Sequence, residues 1–278
     1  MNLKNKKVLV TGAGIGIGFA TSHLLLKKGA HVVMWDIDLE NLKKASIRLN
    51  ELGFKNFSTF QCDVSNSNEV YKAAKSVKEA IGTIDILINN AGTVYTGYML
   101  DRTDEELEKM IQLNFTSMIY TIRAFMPEML ERNFGHIINI SSASSLIGAP
   151  KLAVYAATKW AVAGLTESLR LEAYKMNKKG VKFSSIHPNF LVKGLFAGTK
   201  LNFIGNLLSP GIKSPYTVAK VIINRAIRYG YHSPKIPWIM NQATLLRAIL
   251  PSSVLLRVSN LYGLSNMMDK YEGYKDGR

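Results

Sequence analysis

Cysteine is almost absent from this sequence of 278 residues, and its scarcity excludes two kinds of structure. The lone cysteine, Cys62, can form no intramolecular disulfide and cannot build a cluster of thiolate metal ligands. The five histidines show no metal-ligand spacing, so we expect no metal site. The first apolar run, Val8–Val10, is too short for a signal peptide or a membrane span. We therefore expect a cytoplasmic protein.

Acidic residues are missing from a long part of the chain. Between Ala173 and Met268, a stretch of 96 residues, there is no Asp or Glu but there are thirteen Lys and Arg, and the net charge of the chain is +15. A one-sided positive field favours an acidic partner, such as anionic lipid, nucleic acid or a negatively charged substrate or carrier. The alternative is a surface charge that only keeps the protein soluble.

Hydrophobic residues make up 47% of the chain, which is ample for a buried core. The first two thirds alternates short β-branched runs with longer amphipathic segments. The predicted strands are Lys7–Thr11, His31–Asp36, Phe57–Cys62, Ile84–Asn89, His136–Ile140 and Lys182–Ile186. Helices are predicted to begin near Ile17, Leu39, Asn68, Asp104 and Leu152. This alternation predicts one parallel sheet with helices on both faces, in a single domain over residues 1–278.

A glycine-rich segment, Thr11–Gly18, follows the first predicted strand and opens the first predicted helix. Glycine is needed where the chain turns sharply and where backbone approaches a pyrophosphate, which then lies at the helix N-terminus. This context predicts a Rossmann-type, doubly wound α/β fold that binds a dinucleotide. The predicted cofactor contacts in this turn are Gly12, Gly14, Gly16, Ile17 and Gly18.

The end of the second strand predicts which dinucleotide is bound. A carboxylate at Asp36 can accept hydrogen bonds from both ribose hydroxyls of NAD, and it would repel the 2′-phosphate of NADP. We therefore expect NAD rather than NADP. Asp63 and Val64, at the end of the next strand, are candidates for the adenine edge. An aspartate with only a turn-forming role would look the same in the sequence.

Tyr155 and Lys159 lie four residues apart, hence on one face of a predicted helix. A free phenol has a pKa of about 10. A neighbouring ammonium lowers that pKa and lets the tyrosine exchange a proton with a substrate hydroxyl. Lys159 can also hydrogen-bond the nicotinamide ribose. Ser142, at a strand end upstream, can donate to the substrate oxygen, so Ser142 and Tyr155 are the predicted substrate contacts.

Two further sites are predicted from position. Asn90, Ala91 and Gly92 close a strand at the carboxyl edge of the sheet, where ligands bind in open α/β folds, so we expect them to contact the cofactor. Asn114 lies inside a predicted helix, an unfavourable place for asparagine. A residue that breaks a local rule is a candidate functional residue.

Taken together, these motifs resemble the short-chain dehydrogenase/reductase superfamily over residues 4 to about 230. The resemblance implies that Tyr155 is the acid/base and that Ser142 donates to the substrate oxygen. It implies that Lys159 lowers the tyrosine pKa and binds ribose, and that Asn114 holds a water in a proton relay. It also implies cofactor contacts at Pro188 and Leu191. In many members a threonine near this point contacts the nicotinamide amide, but here Lys193 stands in its place.

The segment Pro188–Phe190 is similar to the membrane-associated retinol and 17β-hydroxysteroid dehydrogenase branch. Short stretches of the tail match the same branch, namely Ile236–Trp238, Leu246–Pro251 and Met268–Gly273. This implies a lipophilic alcohol or carbonyl substrate, such as a retinoid, a steroid or a fatty alcohol. Residues 189–215, which are rich in Gly, Leu and Phe, are predicted to form a substrate lid.

Members of that branch commonly carry an N-terminal hydrophobic anchor, and this sequence shows none. We expect the basic, apolar C-terminal extension, residues 240–278, to take that role at an anionic membrane interface. The residues concerned are Leu245, Leu246, Ile249, Leu255, Leu256, Val258 and Leu261, with Arg247 and Arg257. The same leucines can instead pack on the core or on another subunit of a homodimer or homotetramer.

Two other functions stay open. The basic surface would suit reduction of a 3-oxoacyl group on an acidic carrier protein, although Asp36 argues against it because reductive synthesis usually draws on NADPH. A cofactor-sensing protein or nucleic-acid binder without turnover is the second, and such a protein has no need of an activated phenol. We expect no nucleic-acid partner.

Overall fold

A computed structural model describes residues 1–192, 194–208 and 210–271, and within these ranges the chain forms one sheet of seven parallel strands. The strands are β1 Lys7–Thr11, β2 His31–Asp36, β3 Phe57–Gln61, β4 Ile86–Asn89, β5 Gly135–Ile140, β6 Val181–Pro188 and β7 Lys235–Ile236. Their order, β3-β2-β1-β4-β5-β6-β7, reverses between β1 and β4, which is where open α/β sheets bind ligands. The predicted doubly wound α/β fold is confirmed. The last strand ends before Pro237, which has no N–H to continue the ladder.

Ten α-helices occur in the described part of the chain. They are α1 Gly16–Lys27, α2 Leu39–Glu51, α3 Ser67–Ile81, α4 Asp104–Ile111, α5 Ser117–Glu131, α6 Ala153–Lys175, α7 Phe203–Leu208, α8 Pro215–Val221, α9 Met240–Ile249 and α10 Ser252–Leu261. A π-helical turn, Gln112–Thr116, joins α4 to α5, and a second, Ile222–Arg228, continues α8. The helix predicted to start near Asp104 is therefore interrupted by a widened turn, with consequences for the site.

Apolar side chains on both faces of the sheet hold the helices in place. On one face Val10 packs in a cluster with Leu25 of α1 and Val218 of α8. On the other face Leu9 packs in a cluster with Phe125 of α5. These side chains are fully or almost fully buried, and each such burial stabilises the fold by roughly 1.5–3 kcal/mol. Strand side chains that point to either face of the sheet are apolar, because helices cover both faces.

The C-terminal helices α9 and α10 are separated by Pro251, which cannot continue a helix. After α10 the chain returns to the carboxyl edge of the sheet, where Met267 and Met268 are buried in a third apolar cluster that includes Tyr155. No helix in the described ranges is both long and apolar enough to cross a membrane.

Candidate active site

The glycine-rich turn between β1 and α1 is shaped by close approaches of backbone. Gly12 and Gly16 have φ values of +60° and +58°, which favour glycine. A Cβ atom on Gly18 would lie 2.0 Å from the Gly12 carbonyl oxygen. The residue before α1, Ile15, provides no side-chain cap for the first-turn N–H groups. The turn therefore fits a pyrophosphate, because backbone packs tightly around it and N–H groups remain for an anion.

Asp36, at the end of β2, lies directly beside this turn. Its Oδ2 accepts a hydrogen bond of 2.8 Å from the Gly14 N–H, and its Oδ1 accepts one of 3.1 Å from the Asp38 N–H. Each carboxylate oxygen can accept a further bond, so the side chain can still bind ribose hydroxyls. Asp38 has a different task, because it caps α2 by accepting from the Asn41 N–H. Asp36 and Asp38, two residues apart in the sequence, therefore have different roles in the structure.

Asp63 and Val64 follow β3 at the same edge of the sheet. Asp63 Oδ1 accepts hydrogen bonds from the N–H and the hydroxyl of Ser65, at 2.9 and 2.7 Å. The Val64 side chain is buried in the core. The side chain of Asp63 therefore forms a local turn, and contact of either residue with adenine stays a prediction.

The loop that follows β4 is tied to the glycine-rich turn by Thr11 and Asn90. The Asn90 side-chain amide donates to the carbonyl oxygens of Thr11 and Gly12, both at 3.0 Å. The Thr11 hydroxyl oxygen accepts from the N–H groups of Asn90 and Ala91, at 3.0 and 3.1 Å. These bonds hold the two predicted cofactor-binding segments at a set separation. Thr11 was not predicted as a site residue, although a polar residue that ends a buried strand before the glycines is a signal for one.

Asn114 lies in the π-helical turn and is fully buried. Its Oδ1 accepts from the Thr93 N–H at 2.8 Å, and its Nδ2 donates to the Thr93 carbonyl oxygen at 2.9 Å. A Cβ atom on Gly92 would lie 2.9 Å from this Oδ1. The side chain therefore positions the loop after β4, and π-helical turns often mark functional sites. The role of Asn114 in holding a water stays a prediction.

Ser142 begins a 3₁₀ turn, Ala143–Ser145, at the end of β5. His187, a buried histidine that was not predicted as a site residue, holds this turn through Ser145. The Ser145 hydroxyl donates to the Ser142 carbonyl oxygen at 2.6 Å, so His187 Nδ1 must donate to Ser145 Oγ, at 2.7 Å. Ser185 lies 2.9 Å from the other ring nitrogen. Burial lowers the pKa of His187 to about 4, which keeps the ring neutral.

Tyr155 and Lys159 both lie on α6 and are buried, as one helical face predicted. Lys159 Nζ is 5.6 Å from the Tyr155 ring centre and donates to the Ile140 carbonyl oxygen at 3.1 Å. The expected fall in the tyrosine pKa is not found. Burial raises the pKa of Tyr155 to about 12, against a hydrogen bond from Ser142 that lowers it. Burial also lowers the pKa of Lys159 to about 8, because desolvation penalises both charged forms.

The segment after β6 lies next to this pair. Pro188 ends β6, and Leu191 forms a bridge with Ile212. Both lie at the carboxyl edge of the sheet, and their contact with a cofactor stays a prediction. Lys193 lies outside the described residues.

An apolar cavity of about 230 Å³ opens beside Ser142. Its walls come from three parts of the chain: the turn after Ser142, the segment 189–215, and the helices α9 and α10. Phe196 lines it and packs edge-on against the Tyr155 ring, with the ring centres 5.5 Å apart. Leu255 and Val258 of α10 line the other side. Ser142 therefore adjoins an apolar space, and Phe196 connects that space with the Tyr155 ring.

The basic C-terminal extension is attached to this site by Arg247. Its guanidinium lies 3.8 Å from the centre of a Trp160 ring and donates to the Leu146 carbonyl oxygen. We had expected Arg247 to face an anionic surface, but these contacts turn it towards the protein. Leu255 and Val258 likewise face the cavity. The side chain of Leu246 and residues 272–278 lie outside the described part of the chain.

Comparison with known proteins agrees with this geometry. The sequence profile described as short chain dehydrogenase matches residues 6–198. The chain is 33% identical to human epidermal retinol dehydrogenase 2 over 276 residues, which cover 99% of this chain and 87% of that protein. It is 31% identical to mouse estradiol 17-beta-dehydrogenase 11 over 269 residues, which cover 97% of this chain and 87% of that protein. The predicted resemblance to the retinol and 17β-hydroxysteroid branch is confirmed.

Solved structures add a likeness of fold. A metagenomic short-chain oxidoreductase in complex with NADP superposes with a TM-score of 0.69 at 28% identity, over 84% of this chain and 96% of that one. A short chain dehydrogenase/reductase from Burkholderia phymatum in complex with NAD gives a TM-score of 0.78 at 23% identity, over 92% of this chain and 96% of that one. With its profile match and its relatives, the chain belongs to the short-chain dehydrogenase family.

Proposed function

We propose that this protein is an NAD-dependent dehydrogenase that interconverts a lipophilic alcohol and its carbonyl compound. The observation that carries the substrate class is the cavity beside Ser142, which is lined mainly by apolar side chains from the segment 189–215 and helices α9 and α10. An apolar cavity binds by burying substrate surface, whereas the few polar groups at its inner end orient the reacting oxygen. The names of the retinol and estradiol dehydrogenase relatives support the same substrate class.

The chemistry follows from Ser142, which lines the cavity, and from Tyr155 and Lys159 of α6. A bound nicotinamide supplies the hydride acceptor or donor. Ser142 hydrogen-bonds the substrate oxygen, and Tyr155 gives a proton to that oxygen in reduction or takes it in oxidation. Lys159 donates to the Ile140 carbonyl oxygen with its ammonium 5.6 Å from the centre of the phenol ring, and in this proposal it also hydrogen-bonds the nicotinamide ribose. Asn114 fixes the loop that borders this space.

An activity screen tests the proposal. We expect NAD-linked oxidation of retinol, a steroid alcohol or a long-chain secondary alcohol, with kcat/KM rising as the apolar part of the substrate grows. A 3-oxoacyl thioester on an acidic carrier protein, assayed with NADPH, tests the alternative in the same screen. Preference for the carrier substrate would overturn the proposal, and absence of turnover with every substrate would favour a cofactor-binding protein.

We also infer a peripheral contact with anionic membrane at the mouth of the cavity. Large apolar side chains are exposed on α9 and α10 and on nearby α7, namely Leu245, Ile249, Leu256, Leu261 and Phe203. Arg257, also exposed, and the acid-free composition of residues 173–268 provide attraction to anionic headgroups. Co-sedimentation with vesicles tests this. We expect binding to phosphatidylserine vesicles that weakens with salt, and no binding at low salt would contradict the inference.

For the assembly, we propose a homodimer or homotetramer. Helix α6 carries Leu171 and Tyr174 with side chains more than half exposed. Light scattering coupled to size-exclusion chromatography tests this, and a monomer at micromolar concentration would contradict it.

A further inference from the structure

Arg247 joins three elements that meet at the active site. It belongs to α9, and its guanidinium stacks on Trp160, which follows the catalytic Lys159 on α6. The same guanidinium donates to the carbonyl oxygen of Leu146, in the turn that Ser142 begins. Trp160 completes the link, because its indole N–H donates to the Ser144 carbonyl oxygen at 2.7 Å. We call this set of contacts, between Arg247, Trp160, Ser144 and Leu146, the arginine clasp.

The arginine clasp spans the two walls of the substrate cavity. One wall is formed by Ser142 and Ser144 with the residues that follow them. The opposite wall includes Met240 and Gln242, at the start of the helix that carries Arg247. The distance between these walls sets how wide a substrate chain the cavity admits. A contact that joins them therefore acts on the shape of the substrate cavity.

The chemistry of the clasp requires arginine in particular. No carboxylate occurs between residues 173 and 268, and the Arg247 guanidinium is held by a carbonyl oxygen and an aromatic face. A planar guanidinium can stack and donate at the same time, whereas a lysine ammonium is a point charge that stacks poorly.

We propose that Arg247 is a positioning residue that holds α9 against the Ser142 turn and so determines how the apolar part of the substrate binds. The proposal rests on the proposed function for its substrate class. Arg247 is not a catalytic residue in this proposal, since its contacts are with Trp160 and Leu146. Its loss should therefore weaken binding of long substrates and leave proton transfer at Tyr155 intact.

Steady-state kinetics with two probe alcohols test this. Arg247→Gln should raise KM for 2-decanol at least tenfold, and it should leave kcat for 2-decanol and both constants for 2-butanol within twofold. Arg247→Lys should fall between wild type and Arg247→Gln. Arg123→Gln removes the same charge from an exposed position on α5 and should resemble wild type. Equal effects of Arg247→Gln and Arg123→Gln, or an equal loss with both alcohols, would overturn the proposal.

Tryptophan fluorescence tests the clasp without any turnover. In a Trp238→Phe background the emission comes from the fully buried Trp35 and from Trp160. Arg247→Gln should shift the Trp160 emission to longer wavelength, because the ring loses its cover, and Trp160→Phe identifies that component. An unchanged spectrum would overturn the clasp even if the enzyme is active. Failure of the wild type to oxidise any alcohol would instead refute the proposed function, and the fluorescence result would still decide the clasp.

Discussion

Lys159 Nζ lies 5.6 Å from the centre of the Tyr155 ring, yet the pKa of the phenol is raised to about 12. Both residues are buried, and burial opposes the charge of each. In the protein alone the phenol is thus protonated at neutral pH, which suits proton donation to a carbonyl oxygen. Acceptance of a proton in the oxidative direction requires further positive charge beside the ring.

Replacement of the phenol separates catalysis from binding. Tyr155→Phe removes the proton donor but keeps the edge-on packing against Phe196. We expect turnover to fall by about a hundredfold to ten-thousandfold, the usual contribution of general acid–base catalysis. The affinity for NADH, measured by fluorescence titration, should stay within threefold. Tyr229→Phe, at an exposed position, is the control. Full activity of Tyr155→Phe would remove Tyr155 from the mechanism.

Asp36 should determine the choice of dinucleotide. Asp36→Ser keeps a hydrogen-bond acceptor near the Gly14 N–H but removes the negative charge. Because that charge repels a 2′-phosphate, the ratio of kcat/KM for NAD to that for NADP should fall at least tenfold, or about 1.4 kcal/mol. Asp38→Ser, which alters the cap of α2, is the matched control. An unchanged ratio would show that another residue sets the preference.

Two glycine substitutions should have opposite effects, because Gly18 is closely packed in the glycine-rich turn and Gly164 in α6 is not. Gly18→Ala would bring a methyl group within 2.0 Å of the Gly12 carbonyl oxygen, so it should lower the melting temperature and the affinity for NADH. Gly164→Ala, inside α6 with no atom within 4 Å of the added carbon, should stabilise the fold by up to about 1 kcal/mol. Calorimetry and NADH titration of both variants check this, and a harmless Gly18→Ala would contradict the described turn.

Two buried histidines predict acid sensitivity. Burial lowers the pKa of His136 to about 3 and that of His187 to about 4, from an ordinary value of 6.5. The unfolded chain therefore binds protons that the folded protein excludes, and the free energy of unfolding falls as the pH drops from 6.5 towards 4. Each histidine contributes a slope of up to about 1.4 kcal/mol per pH unit.

Urea unfolding at a series of pH values measures that slope. His136→Gln should reduce the slope by about one proton, because glutamine does not titrate. The Gln amide can still donate to Ser184 as the His136 Nε2 does, so the fold should be retained. A slope that is identical in this variant and in wild type would contradict a buried, neutral His136.

Much of the fold and of the site was predictable from local pattern. The strands ended within two residues of their predicted limits. A strand covered on both faces needs an unbroken apolar run, and Ile86–Ile88 is such a run in the sequence. Tyr155 and Lys159 were predictable from their helical spacing together with Ser142 and the glycine-rich turn. His187 was not, because its role depends on Ser145, which lies 42 residues earlier in the chain. The upward shift of the Tyr155 pKa was not predictable either, since desolvation depends on which residues pack around the ring.

The sequence by itself determined the order of strands and helices, the glycine-rich turn and the pair Tyr155 and Lys159, since each depends on residues that are near one another in the chain. Only the tertiary structure decided that burial raises the pKa of Tyr155 above its ordinary value, and that Arg247 faces Trp160 instead of solvent. Those outcomes depend on contacts between residues far apart in the chain. Desolvation and packing act through space, so spacing along the sequence carries no record of them.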